Sequence, residues 1–121
     1  MALFFFGKCP KVFDSALYAQ VAPDILTSDD LLLDLKNKLR LPDYFGFNWN
    51  ALYDCLKDFH WVEEDAVILN HPYRLKLPSA DAGIYADILN DAVAFWQREG
   101  RIEFCVIFNE GDRQEILSYL P

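Results

Sequence analysis

Leu41-Pro42-Asp43-Tyr44-Phe45-Gly46-Phe47-Asn48-Trp49-Asn50-Ala51-Leu52-Tyr53-Asp54-Cys55-Leu56-Lys57-Asp58-Phe59 holds a turn, a helix start and an amphipathic helix in one run. Pro42 turns Leu41 away from helical dihedrals and Gly46 tolerates positive φ, so the run opens as a turn. Asn48 is a strong N-cap and predicts a short helix reaching about Phe59. Leu52, Cys55, Leu56 and Phe59 fall at i, i+3, i+4 and i+7, which makes one apolar face. The opposite face carries Trp49, Asn50, Tyr53, Asp54 and Lys57. Two large aromatics beside a carboxylate are the residue types that anchor protein interfaces. Two readings fit this face: a partner-binding surface, or a second core contact beneath the N-terminal segment.

Working outward, Thr27 and Asp30 form a capping pair, and Leu32, Leu35 and Leu39 carry a helical period to Arg40. Asp29 and Asp30 lie near the positive helix end and Lys36, Lys38 and Arg40 near the negative one. Downstream, Glu63-Glu64-Asp65 reads as a loop and Ala66-Val67-Ile68-Leu69 as a strand buried on both faces. A loop over His71 to Pro78 leads to a helix from about Asp81, with Tyr85, Leu89, Ala92, Val93 and Trp96 as its stripe. Ile84, Ile88 and Phe95 broaden that stripe. Gly100 stops the helix, Ile102 to Phe108 is another apolar strand, Asn109 to Asp112 a turn, and residues 113–119 a short last helix. Upstream, residues 2–6 read as a short strand followed by the turn Lys8-Cys9-Pro10, and Ala16 to Val21 as a second strand ended by Pro23. The Phe4-Phe5-Phe6 run is predicted to pair at a sheet edge, with a partner surface as the alternative. The order strand, helix, helix, strand, helix, strand implies right-handed parallel crossovers in one small α/β domain spanning residues 1–121.

The chain of 121 residues is long enough to bury a core without staples. Its formal net charge of −8 argues against a binder of the phosphate backbone, which needs clustered Lys and Arg. Such acidity suits a basic partner, or serves solubility alone. Cys9, Cys55 and Cys105 have neither metal-ligand spacing nor a disulfide framework; Cys55 and Cys105 read as small buried hydrophobes. The apolar run at residues 2–6 is too short for a signal peptide and no stretch reaches transmembrane length, so a cytoplasmic protein is expected.

Catalytic patterns are missing. His60 and His71 are the two histidines and neither has a second ligand at helical spacing, so no metal is expected. The serines lack a nucleophile-elbow context, and there is no glycine-rich phosphate loop. The adjacent pairs Asp29/Asp30 and Glu63/Glu64 read as a cap and a solvated loop. No enzymatic function and no cofactor are expected.

The run from Leu41 resembles the signature segment of the barstar family, the small intracellular inhibitors of ribonucleases. That segment reads Leu-Pro-acidic-Tyr-aromatic-Gly, then Asn, then a helix with Ala-Leu-aromatic-Asp-Cys-Leu. Here it stands without a gap as Leu41 to Gly46, Asn48, and Ala51-Leu52-Tyr53-Asp54-Cys55-Leu56. The resemblance covers about residues 27–109. It implies a three-stranded parallel sheet flanked by helices, to which this chain adds an N-terminal strand segment and a short C-terminal helix. It implies a protein that plugs the active site of a basic ribonuclease or nuclease toxin, with no direct contact to nucleic acid, no membrane, and a monomer. Tyr44, Tyr53, Asp54, Phe59 and Glu99 match contact positions of the family, with Asp54 as the phosphate mimic, and Trp49 replaces a smaller aliphatic contact. Asn50 stands where the family archetype has an aspartate, Lys57-Asp58 replaces a small Thr-Gly pair, and Phe95 falls where an acid sits. The patch is therefore less acidic and more apolar than the archetype's. The alternative is a non-inhibitory interaction or regulatory module on the same fold, whose partner is not a nuclease.

Overall fold

A computed structural model describes residues 3–121. The strands are β1 (Phe5–Phe6), β2 (Ala16–Gln20), β3 (Ala66–Asn70) and β4 (Glu103–Phe108); the helices are α1 (Ser28–Lys38), α2 (Trp49–Leu56), α3 (Ser79–Glu99) and α4 (Arg113–Ser118). The sheet has four parallel strands in the order β1-β4-β3-β2. The expected three-stranded sheet is β2, β3 and β4, and the phenylalanine run adds the fourth strand at its edge, where Phe5 pairs with Ile107 and Phe6 with Phe108. Ala2, also placed in that strand from the sequence, lies outside the described residues.

Helix handedness decides which face of the sheet is covered. The steps from β2 to β3 and from β3 to β4 run in the same direction, so right-handed crossovers put α1, α2 and α3 on one face. The rows Leu17–Val67–Phe104 and Ala19–Leu69–Val106 point into that layer, with Leu31, Leu35, Leu52, Leu56 and Leu89 fully buried against them. Strand side chains alternate, so Tyr18–Ile68–Cys105 forms a row on the opposite face. The return from β1 to β2 runs the other way across the sheet, and the same handedness carries residues 7–15 over that helix-free face.

Local signals agree with the helix ends. Thr27 Oγ1 accepts from the Asp30 amide at 3.2 Å and caps α1. Arg40 takes a left-handed conformation at φ 55°, and the Leu41 amide reaches back to the Lys36 carbonyl at 3.0 Å, closing the helix as a Schellman turn. The long helix starts two residues before the expected Asp81, with Pro78 at its N-cap, and stops at Gly100 with φ 77°. The turn after β4 is a short 3-10 helix over Glu110–Asp112. Asp112 is buried there, accepting from Arg74 Nε and the Leu75 amide, both at 2.8 Å, which ties the loop after β3 to the C-terminal turn.

Candidate partner-binding surface

Helix α2 is short, so its orientation depends on what holds its ends. Asn48 Oδ1 accepts from the Ala51 amide at 2.8 Å, the predicted N-cap, while its amide group donates to the Gly46 carbonyl. At the other end, Trp96 Nε1 donates to the Leu56 carbonyl at 2.7 Å, satisfying one of the carbonyls that a helix end leaves unpaired. Arg101 donates to the Asp58 carbonyl at 2.6 Å and lays its guanidinium 4.8 Å from the centre of the Trp96 ring. Leu52, Cys55 and Leu56 are buried, as their spacing required.

The outward face is a graded surface. Asn50 and Asp54 are exposed, one turn apart on the same side of α2. Trp49 and Tyr53, expected at the surface, are half-buried against the core because α3 runs beside them. Trp49 packs 6.1 Å from the Tyr85 ring of α3. Lys57 Nζ donates to Tyr53 Oη at 3.0 Å and stands 4.2 Å from the centre of the Tyr53 ring and 5.4 Å from that of Phe95. The departures at Lys57 and Phe95 are thus one structure: a cation resting on two aromatic rings, where it gains from both π faces.

Tyr44 is 69% exposed on the loop before α2. Slight desolvation and the nearby Asp58 carboxylate raise its hydroxyl pKa. Glu99 is exposed at the end of α3, one turn beyond Phe95.

Phe59 is a correction. Its ring is completely buried, so it forms no part of the outer surface. It stacks on Trp96 (centroids 5.8 Å, 19°) and meets Trp61 and Phe104 edge-on. The backbone there is left-handed, φ 48°, a conformation costly for a bulky residue. The turn after α2 aims the ring inward, and the apolar periodicity, which also put Phe59 on the buried face, was the better guide.

Asp58, His60 and Arg101 join the surface without having been singled out as contacts. His60 Nδ1 lies 2.9 Å from Asp58 Oδ2. The Arg101 contact spans 43 residues of sequence, so no local pattern carried it. Spacing did carry the Tyr53–Lys57 pair, which is i, i+4 on a helix.

Asp58 of the patch has His60 beside it, whereas two other carboxylates have no such neighbour among the described residues. Lys11, Lys36, Lys38, Arg40, Lys76 and Arg113 each pair with a carboxylate elsewhere. Asp54 and Glu99 make no ion pair among the described residues. No group of three His, Cys, Asp or Glu among the described residues is arranged to hold a metal ion. No described helix is long and apolar enough to cross a membrane.

This chain, a parallel sheet with helices on one face that presents a capped acidic-aromatic helix, belongs to the barstar family: the family model described as Barstar (barnase inhibitor) matches residues 20–109. Among known proteins it is similar to "Putative ribonuclease inhibitor YrdF" of Bacillus subtilis (strain 168), 35% identical over 74 residues, which span 61% of this chain and 77% of that one.

Proposed function

We propose that this protein is a ribonuclease inhibitor that binds a basic nuclease one-to-one and covers its active site with the outer face of α2. The observation that carries this reading is Asp54: an exposed carboxylate, without an ion pair of its own, on a helix tied down at both ends. A ribonuclease cleft is a cluster of cations shaped for phosphates. A rigidly held carboxylate can stand in for one phosphate and accept its charge-assisted hydrogen bonds. The unpaired acids around it steer a basic partner into place, and the formal charge of −8 extends that attraction over the whole molecule. Tyr44, Trp49, Asn50, Tyr53, Lys57 and Glu99 form the rest of the contact surface, and Phe59 supports it from beneath. The protein acts as a cytoplasmic monomer by occlusion, with no catalysis, cofactor or direct contact to nucleic acid.

A second reading has an observation in its favour. Lys57 on its aromatic seat, with neutral Asn50, makes the patch less uniformly acidic than a phosphate cluster requires. That suits a non-inhibitory module whose partner is not a nuclease.

The deciding experiment titrates the protein into RNA cleavage by a barnase-type ribonuclease and measures the complex by calorimetry. Inhibition that saturates at one inhibitor per enzyme and weakens with Asp54→Ala supports the first reading. A panel of basic ribonucleases left uninhibited and unbound supports the second.

A further inference from the structure

We propose that Cys9 and Cys105 are a reversible disulfide pair that takes a low-molecular-weight disulfide as its oxidant and fixes residues 7–15 onto the helix-free face of the sheet. The chain path brings the two residues together. The Gly7 amide donates to the Phe108 carbonyl at 2.9 Å, at the far end of β4. Four residues later, Lys11 Nζ donates to Glu103 Oε2 at 2.7 Å, at the near end of the same strand. Cys9 lies midway along this return, and Cys105 lies between the two anchors on β4.

The thiols sit in one cluster. The Lys11 amide is 3.5 Å from Cys9 Sγ, and Cys105 Sγ is 4.0 Å from the same Glu103 oxygen that holds Lys11. Burial along the outward row agrees: Tyr18 on β2 is 54% exposed, whereas Cys105 on β4, beneath the crossing segment, is 3% exposed. Cys55 belongs to the helix layer on the other side of the sheet and cannot reach either thiol.

The order of attack follows from exposure. Cys9 is half-buried and is the accessible thiol. Burial pushes the Cys105 thiol up to about 12, with the neighbouring Cys9 thiol adding to the shift, so Cys105 is the poorer first nucleophile. The Cys9 thiolate attacks one sulfur of R–S–S–R, expelling R–S⁻ and leaving a mixed disulfide at Cys9. The Cys105 thiolate then attacks the Cys9 sulfur and expels the second R–S⁻. Two protein thiols are oxidised, one small disulfide is reduced to two thiols, and the two protein protons pass to those thiols.

The test incubates the full chain with glutathione disulfide, quenches with an alkylating agent under denaturing conditions, and reads intact mass and peptide maps. The expected product is monomeric and carries one alkyl group, at Cys55, with a mass two hydrogens below that of the singly alkylated reduced chain and with the Cys9 and Cys105 peptides linked. Cys9→Ser, a change on an exposed segment outside the core, is expected to abolish this product and leave Cys55 and Cys105 alkylated. A lasting glutathione adduct at Cys9, a covalent dimer, a link through Cys55, or three alkylated thiols after exposure to the oxidant would each overturn the proposal.

Discussion

Trp96 donates its indole N–H to the main-chain carbonyl of Leu56, 40 residues away, at 2.7 Å. The bond joins the end of α2 to the last turns of α3, so the acidic face of one helix is held by the side chain of another. Trp96→Phe keeps an aromatic ring in place but leaves the Leu56 carbonyl without its donor. Stability is expected to fall by about 1–3 kcal/mol, the cost of an unmet buried polar group. Urea unfolding at pH 7 measures it; an unchanged midpoint would show that the bond does not hold α2.

Asp54→Ala is expected to separate binding from folding. The carboxylate makes no ion pair among the described residues and is exposed, so stability changes by no more than about 0.5 kcal/mol. Binding to a barnase-type ribonuclease is expected to weaken by about 2–5 kcal/mol, mostly through faster dissociation, a range that rests in part on this family's archetype complex. Surface plasmon resonance with both proteins checked for folding tests the pair of outcomes. Equal loss in stability and binding would make Asp54 a structural residue.

Asn50 and Lys57 set the charge balance around Asp54. Against a barnase-type ribonuclease, Asn50→Asp is expected to tighten binding and to speed association at low salt, because it adds a carboxylate facing a basic cleft. Lys57→Ala is expected to act in the same direction by removing a cation from the patch. Association rates at two salt concentrations measure both changes. Slower association in either variant would show that the partner carries an acid opposite that position.

Phe59 is strained in its backbone and buried in its ring, and two substitutions separate these effects. Phe59→Ala removes the contacts with Trp61, Trp96 and Phe104 while keeping a Cβ at φ 48°, and is expected to cost about 3–5 kcal/mol. Phe59→Gly loses the same contacts but tolerates the left-handed backbone, so it is expected to be about 1 kcal/mol more stable than the alanine variant. Equal stabilities in chemical denaturation would mean that the positive φ costs nothing.

His71 makes stability depend on pH. Its Nδ1 lies 2.8 Å from the Ile107 carbonyl and its Nε2 2.6 Å from Tyr85 Oη, and it is stacked on Phe108. Burial lowers its pKa from 6.5 to about 4. The folded state therefore holds His71 neutral where the unfolded chain has already taken up a proton. Stability from this group is full above pH 6.5 and is lost as pH falls toward 4. Between pH 7.5 and 5.0 the loss amounts to about 2 kcal/mol. Urea unfolding at the two pH values, compared with a folded His71→Gln variant that lacks this dependence, measures it. A wild-type stability that does not fall across this window would mean His71 is protonated in the native state.

Much of this protein follows from local sequence. Thr27 and Asn48 start α1 and α2 where they stand because a side-chain oxygen can reach an amide three residues on, which requires no tertiary contact. Asp54 faces outward because Leu52, Cys55 and Leu56 claim the other side of the same short helix. The parallel order of β2, β3 and β4 follows from the alternation of strands and helices and from the handedness of crossovers. Other features exist only once the chain has folded. Trp49 and Tyr53 are half-buried because α3 lies beside α2, an adjacency encoded in no window of neighbouring residues. Lys57 finds Phe95, and Arg101 finds the Asp58 carbonyl, across distances in sequence that periodicity does not span. Phe59 shows where the two levels meet: its spacing marked it as apolar core, but only the turn at its left-handed backbone decided that the ring lies beneath the patch and not within it.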